Sequence, residues 1–274
     1  MFIAERAYVP EHLPGYVGAI SRAEPHLVGD YLCYRSEDSI IFIGYPLTLP
    51  FDDTAMMKSL RAALSRFKPA HVALTAPAIS IPRGTCRARD SDHYYRLDLS
   101  TSALSSKLRG AIRQASGALR VESAGRMEEA HVRLISEFLD SRRVGDEATY
   151  IFERIPAYVS SVSTALVFSA RDGSGHLVAF DVAEFGARDY AFYQFNFRST
   201  KRYVPGASDL LLHEVIRVAR EEGKSFVNLG LGINEGVTRF KKKWGGHPFL
   251  AYECCRYRPG LPNALGFLAR KMAT

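Results

Sequence analysis

The chain has 274 residues, 47% of them hydrophobic and 24% charged, the profile of a globular protein able to bury one large core or two modest ones. No apolar run reaches the roughly 18 residues a membrane-spanning helix needs, because the best candidate, 39–51, is broken by Gly44, Pro46 and Pro50. The formal charge of +7 is unevenly placed: from Arg239 onward there are eight basic residues against Glu253 alone, so residues 1–238 are formally neutral.

In chain order, Leu13 to Ala23 reads as a helix. Tyr31–Arg35 and Ser39–Tyr45 read as strands joined by the turn at Glu37-Asp38. Thr54 to Arg66 carries Met57, Leu60 and Leu64 at helical spacing. Short strands follow at His71–Thr75 and Tyr94–Leu99, then a helix at Ser102–Ser116, a strand at Leu119–Glu122 and a helix at Met127–Arg142. The rhythm then changes. Ser163–Ala170, Leu177–Glu184 and Tyr190–Phe197 are β-type runs separated by Asp-Gly-Ser-Gly and Gly-Ala-Arg-Asp turns, which predicts an antiparallel meander. A helix at Ser208–Glu222 with Gly223 as its stop, a strand at Phe226–Leu229, a short helix at Val237–Trp244 and a strand at Phe249–Tyr257 complete the order β-β-β-α-β-α-β. No internal repeat is visible.

Cys33, Cys86, Cys254 and Cys255 lack metal-ligand spacing, and adjacent cysteines on a strand point to opposite faces. The expectation is therefore no metal, no disulfide framework and a reducing, cytoplasmic setting. The N-terminus MFIAERAYVPEH lacks the pattern of a secretory signal.

Two loops and one strand carry candidate chemistry. Gly206, Ala207 and Ser208 open a helix whose first amides have no intrahelical partner, a setting that suits a phosphate or carboxylate. Capping by Ser208 or Asp209 is the alternative. Gly230-Leu231-Gly232-Ile233-Asn234-Glu235-Gly236 follows a strand but matches no dinucleotide or Walker pattern. Behind it, Phe240 and Trp244 should pack inward, with Arg239, Lys242 and Lys243 on the other side. In Phe192-Tyr193-Gln194-Phe195-Asn196-Phe197 polar side chains interleave with aromatics, and with Asp181 and Glu184 they predict a polar row on the sheet.

The segments YVPGASDLLLHEVIRVAREEGKSFVNLG and GLGINEGVTRFKKKWGG, with HYYRLDLSTSALSSKLRGAIRQASG upstream, resemble the acyl-CoA N-acyltransferase (GNAT) superfamily. The likeness is nearest to Fem-type aminoacyltransferases and the acyltransferase domain of lysyl-phosphatidylglycerol synthases. It implies an α+β fold with a mixed, mostly antiparallel sheet flanked by helices. Residues 101–274 would be the transferase domain and residues 1–100 a companion, with a degenerate second GNAT-like half as one option.

The implied activity is direct transfer of an acyl or aminoacyl group from acyl-CoA or aminoacyl-tRNA to a small or lipid-linked amine. Asp181, Tyr193 and Asn196 are the catalytic candidates. Arg202, Gly206, Ala207, Ser208, Asn228 and Lys241 are the donor-binding ones, Lys241 by the lysine of the "FK" pattern. CoA-using members carry glycine where this chain has Pro205, which has no N–H to offer. The rival reading is an inactive module that binds tRNA or an anionic lipid surface through the basic Arg239–Lys271 region, with Leu261–Met272 as an amphipathic helix for peripheral attachment.

Overall fold

The computed structural model describes residues 2–101 and 104–259. The first half runs α1 (Phe2–Glu5), α2 (Pro14–Ser21), β1 (Glu24–Val28), β2 (Tyr31–Ser36), β3 (Ser39–Ile43), α3 (Asp53–Phe67), β4 (His71–Ala76) and β5 (Ala88–Asp98). The second runs α4 (Ser106–Ala118), β6 (Leu119–Ala124), α5 (Glu129–Ser141), α6 (Asp146–Ser161), β7 (Ala165–Asp172), β8 (Leu177–Glu184), β9 (Tyr190–Arg198), α7 (Ala207–Glu221), β10 (Phe226–Leu231), α8 (Glu235–Lys243) and β11 (His247–Tyr257). The expected order β-β-β-α-β-α-β is present; α1 is an addition, and so are α6 and β1. Their prolines, Pro156 and Pro25, mask the helical and strand patterns that would announce them.

All eleven strands join one sheet in the order β1-β2-β3-β4-β11-β5-β10-β9-β8-β7-β6. Leaving out β6, this order is a palindrome. Exchanging β1 with β7, β2 with β8, β3 with β9, β4 with β10 and β5 with β11 returns the same sheet. The pairing senses obey it too: β3–β4 and β9–β10 are parallel, and their neighbours are antiparallel. A helix of 15 residues, α3 or α7, crosses over between each parallel pair. The chain is thus a tandem of two similar halves. Each half lends its last strand to the other, since β11 lies between β4 and β5, and β5 between β10 and β11.

The helices bury their apolar stripes against this sheet. Met56, Met57, Leu60 and Ala63 of α3 meet Phe42, Val72 and Leu74. Leu211, Val215 and Ala219 of α7 meet Phe168, Ala179 and Val227, with Leu108 and Ile112 of α4 alongside. On the other face Tyr158 of α6 and Leu134 of α5 cover Val167, Phe180 and Phe195. Each fully buried side chain of this size contributes about 1.5–3 kcal/mol.

The strand exchange also corrects the cysteine expectation. Cys86, just before β5, and Cys255 on β11 form a disulfide across 169 residues. Adjacent cysteines do point apart, which leaves Cys254 a free thiol, as is Cys33. The partner of Cys255 was invisible because it comes from the other half. Cysteine spacing therefore gives no ground for a reducing compartment. No helix among the described residues is long and apolar enough to cross a membrane. Leu261–Met272, Arg270 and Lys271 lie outside the described residues.

Cutting the chain after Thr101 should leave two fragments that do not fold alone, because each lacks a central strand of its own sheet. Mixed, they should regain the parent circular-dichroism spectrum. A cooperatively melting isolated fragment would count against the exchange.

Candidate active site

The geometry that matters is at the parallel pair β9–β10. These strands pair only over Tyr190–Phe192 and Phe226–Asn228, and no ladder joins them beyond that point. Both strands take an extra residue where the ladder stops. In β9 the register against β8 shifts at Gln194, so Val182 faces Phe195 and Ala183 faces Tyr193. In β10 it shifts at Leu229, where Gly230 has φ +75°. Such bulges bend the bulged strand and end regular pairing. A Cβ at Gly230 would lie 3.7 Å from Lys241 Nζ and 3.8 Å from the Tyr193 carbonyl, so glycine lets the lysine and the β9 backbone approach one place.

The first half provides an internal contrast. Its β3–β4 pair runs unbroken from Ser39↔His71 to Ile43↔Thr75, and Gly44 N still donates to Thr75 O at 2.6 Å. A Cβ at Gly44 would meet Ala76 Cβ at 2.8 Å. The start of α3 is closed by its own side chain, Asp52, which accepts from Thr54 N and Ala55 N. At α7, by contrast, the N-cap is Gly206 with φ +80° and no side-chain cap. Ser208 Oγ donates instead to Asn196 Oδ1 at 3.2 Å. Asp209 accepts from Trp244 Nε1 at 3.0 Å and from Lys243 Nζ at 2.5 Å. The capping alternative is not what the structure adopts.

The predicted polar row divides. Asp181, Tyr193 and Asn196 share the face turned toward α7: Asn196 Nδ2 donates to Asp181 Oδ1 at 2.5 Å and Tyr193 OH to the same oxygen at 3.3 Å. The other oxygen, Oδ2, is buried without a hydrogen-bond partner. Burial pushes the Asp181 pKa far above the carboxylate range, against the two hydrogen bonds, and pushes the Tyr193 phenol up as well. Glu184 and Gln194 face the other way, toward Tyr158, whose hydroxyl donates to Glu184 Oε2 at 2.7 Å.

The donor-binding candidates also separate. Lys241 is 3% exposed, donates to the Leu231 carbonyl and lies 5.8 Å from the Tyr95 ring. Burial lowers its pKa from 10.5 to about 7, with Asp92 opposing. Gly206 packs on α4, where an added Cβ would meet Ala111 O at 3.0 Å. Ala207 is buried beside it and Arg202 is exposed on the preceding loop. Asn228 is spent elsewhere: it faces away from α7, donates to Tyr8 O at 2.8 Å and accepts from Gly230 N at 2.8 Å, which holds the bulge. Trp244 is buried and Phe240 partly so, with Arg239, Lys242 and Lys243 exposed, as the spacing predicts.

Sequence reasoning missed two supporting residues. Glu137 of α5 accepts from Thr200 N at 2.7 Å, Ser199 Oγ and Thr200 Oγ1 at 2.9 Å and Lys201 N at 3.2 Å, fixing the loop that leads into α7. Asp92 of β5 accepts from Ile233 N at 2.8 Å and fixes the loop after β10. Contacts across 62 and 141 residues leave no local signal.

Solved structures with the same architecture include the C-terminal domain of a putative lysylphosphatidylglycerol synthetase from Agrobacterium fabrum (TM-score 0.58, 16% identity, covering 98% of this chain and 94% of that one). FemX matches with TM-score 0.59 and 10% identity over 93% of each chain. A tandem GNAT protein from the clavulanic acid biosynthesis pathway matches with TM-score 0.55 and 12% identity over 95% and 93%. No protein-family model matches the sequence, and no curated protein matches it significantly. The fold is therefore the tandem GNAT fold, α+β, with a mostly antiparallel sheet.

Lys241 gives a pH signature. Unfolded, it holds its proton up to about its ordinary 10.5, whereas folded it releases it at about 7. Folding therefore expels a proton between these values, and stability should rise with pH across that window. Lys241→Met should flatten the rise in urea-unfolding free energy, and an equally steep rise in the variant would contradict the burial.

Proposed function

We propose that this chain is an N-acyl or aminoacyl transferase whose reaction centre lies between the parted strands β9 and β10, in the half spanning residues 101–274, with residues 1–100 as a degenerate GNAT-like companion. The observation that carries this reading is the contrast between the halves: one parallel pair is open beside an uncapped helix, the other closed beside a capped one. Transfer needs a donor carbonyl held against an amine and a charge to meet the developing oxyanion. The open ladder offers backbone groups for the donor. Lys241, protonated in part at neutral pH, is the cation placed nearest its carbonyl. As the amine attacks, the acyl bond to the donor's sulfur or oxygen breaks and the amine's proton passes to the leaving group, with no covalent enzyme intermediate. Asp181, Tyr193, Asn196 and Ser208 tie β8, β9 and the first turn of α7 into one fixed unit.

Between the two donors, the surroundings favour aminoacyl-tRNA. Pro205 removes an amide from the turn that would cradle a diphosphate. The surface instead presents exposed Lys107, Arg109 and Arg113 on α4, which packs against Gly206, exposed Arg198 at the end of β9, and exposed Lys201 and Arg202 on the loop before α7. Such a surface suits a phosphodiester backbone. The acceptor is an amine, small or lipid-linked.

The rival reading, an inactive module that binds nucleic acid or an anionic surface, draws on exposed Arg239 and Lys242 of α8. Calorimetric titration with acetyl-CoA, longer acyl-CoAs and aminoacyl-tRNA, followed by single-turnover transfer to an amine, separates the two. Aminoacyl-tRNA should bind with strong salt dependence. Lys241→Met should keep donor binding within a few-fold while transfer falls by about 10²-fold. Charge reversal at Arg109 and Arg113 should weaken tRNA binding. Loss of binding only on reversal of Arg239 and Lys242, with no transfer by the parent, favours the rival.

A further inference from the structure

The face of the sheet turned away from α7 holds a second feature that the transferase reading does not use. The N-terminal segment crosses this face, anchored by Asn228 Nδ2 on Tyr8 O, by Arg188 N on Glu5 O at 3.2 Å and by Tyr8 OH on Pro46 O at 2.8 Å. Between this segment, Leu47–Leu49, the start of β9 and the start of β11 there is a pocket of about 600 Å³, within the range of small-molecule sites.

Arg96 of β5 lines the pocket. Its guanidinium carbon lies 4.3 Å from the Phe226 ring centre and 5.0 Å from that of Phe249, and Nη1 donates to Tyr190 OH at 3.2 Å. Its Nε is sealed from solvent without a hydrogen-bond partner. Among the described residues no carboxylate lies within ion-pair distance of Arg96. Two aromatic faces compensate part of a half-buried positive charge, but a cation taken out of water is stable only when an anion meets it. Arg188, at the rim, adds a second cation, although Asp189 pairs with it at 3.4 Å. Arg6, Thr48 and Glu5 line the pocket too, Arg6 donating to Thr48 Oγ1 at 3.1 Å, and its apolar wall is Leu47, Leu250, Phe249 and Leu49, the last 61% exposed.

We infer that this pocket binds a small oxyanion, a carboxylate or phosphate monoester, carried on an apolar or aromatic body, with Arg96 as its counter-charge. The guanidinium presents planar donors that match either oxyanion, and the leucines and Phe249 accept the body. The site is separate from the parted strands, being on the opposite face and at the paired end of β9–β10.

The test is calorimetric titration of the full chain with phenyl phosphate, phenylacetate, inorganic phosphate, benzyl alcohol and phosphatidylglycerol vesicles. The aryl oxyanions should bind, more weakly as salt rises, with inorganic phosphate weaker and benzyl alcohol undetectable. Arg96→Leu, which keeps an apolar filler between Phe226 and Phe249, should weaken binding at least about tenfold. Its ligand-free melting temperature should equal or exceed that of the parent, because the variant removes a half-buried cation that Phe226, Phe249 and the more distant Asp98 compensate only in part. Arg188→Ala should weaken binding by a smaller factor. Benzyl alcohol binding as well as phenyl phosphate, binding to vesicles alone, binding by no oxyanion, or affinity unchanged in Arg96→Leu would each overturn the inference. An Arg96→Leu protein that melts far below the parent would make Arg96 a structural cation and overturn it too.

Discussion

The structure depends on one constraint: two parallel strands that begin paired part when a bulge just past their last pair bends each of them. Gln194 in β9 and Leu229 in β10 are the bulged residues. Their bulges turn the strands apart after Phe192 and Asn228. Gly230 supplies the positive φ one bulge requires, and Asn228 holds it by accepting from Gly230 N. Tyr193, Gly230 and Lys241 meet at the opening this creates.

The other half shows what the same architecture does without those residues. Between Ser39 and Ile43 the register against both neighbours is regular, and β3 and β4 run in contact to Gly44. Asp52 then satisfies the first amides of α3, a cap of about 1 kcal/mol. Gly206 leaves the matching amides of α7 without a side-chain cap. The two halves differ along this line: one has a continuous parallel pair beside a capped helix, and the other a pair that stops at Phe192 and Asn228 beside a helix without a side-chain cap.

Much of the fold was legible because its signals are local. Gly223 stopped a helix, the Asp-Gly-Ser-Gly and Gly-Ala-Arg-Asp turns separated β7, β8 and β9, and the order of the second half followed. The tandem entered only as an option of the family resemblance, because the residues themselves show no repeat. Matching strands share their place in the sheet and their pairing sense, which many different side chains satisfy. The strand exchange was not legible, since the partners of β11 lie about 150 to 185 residues earlier in the chain. The site was half legible. Strict alternation puts residues 193 and 196 on opposite faces; the bulge at Gln194 brings Tyr193 and Asn196 to one face with Asp181 and sends Gln194 to the other. Asn228 stood among the donor-binding residues that the resemblance implies, but its side chain is on the far face and bonds the backbone there.

The most direct measurement is backbone amide NMR of the full chain titrated with a non-hydrolysable aminoacyl-tRNA mimic and, separately, with acetyl-CoA. The account predicts that at least one donor shifts the amides of Tyr193–Asn196, Ser208, Asp209 and Gly230–Leu231, while Thr54 and Ala55 at the capped start of α3 stay still. Shifts confined to Arg239 and Lys242, or equal shifts at both helix starts, would contradict a reaction centre between the parted strands.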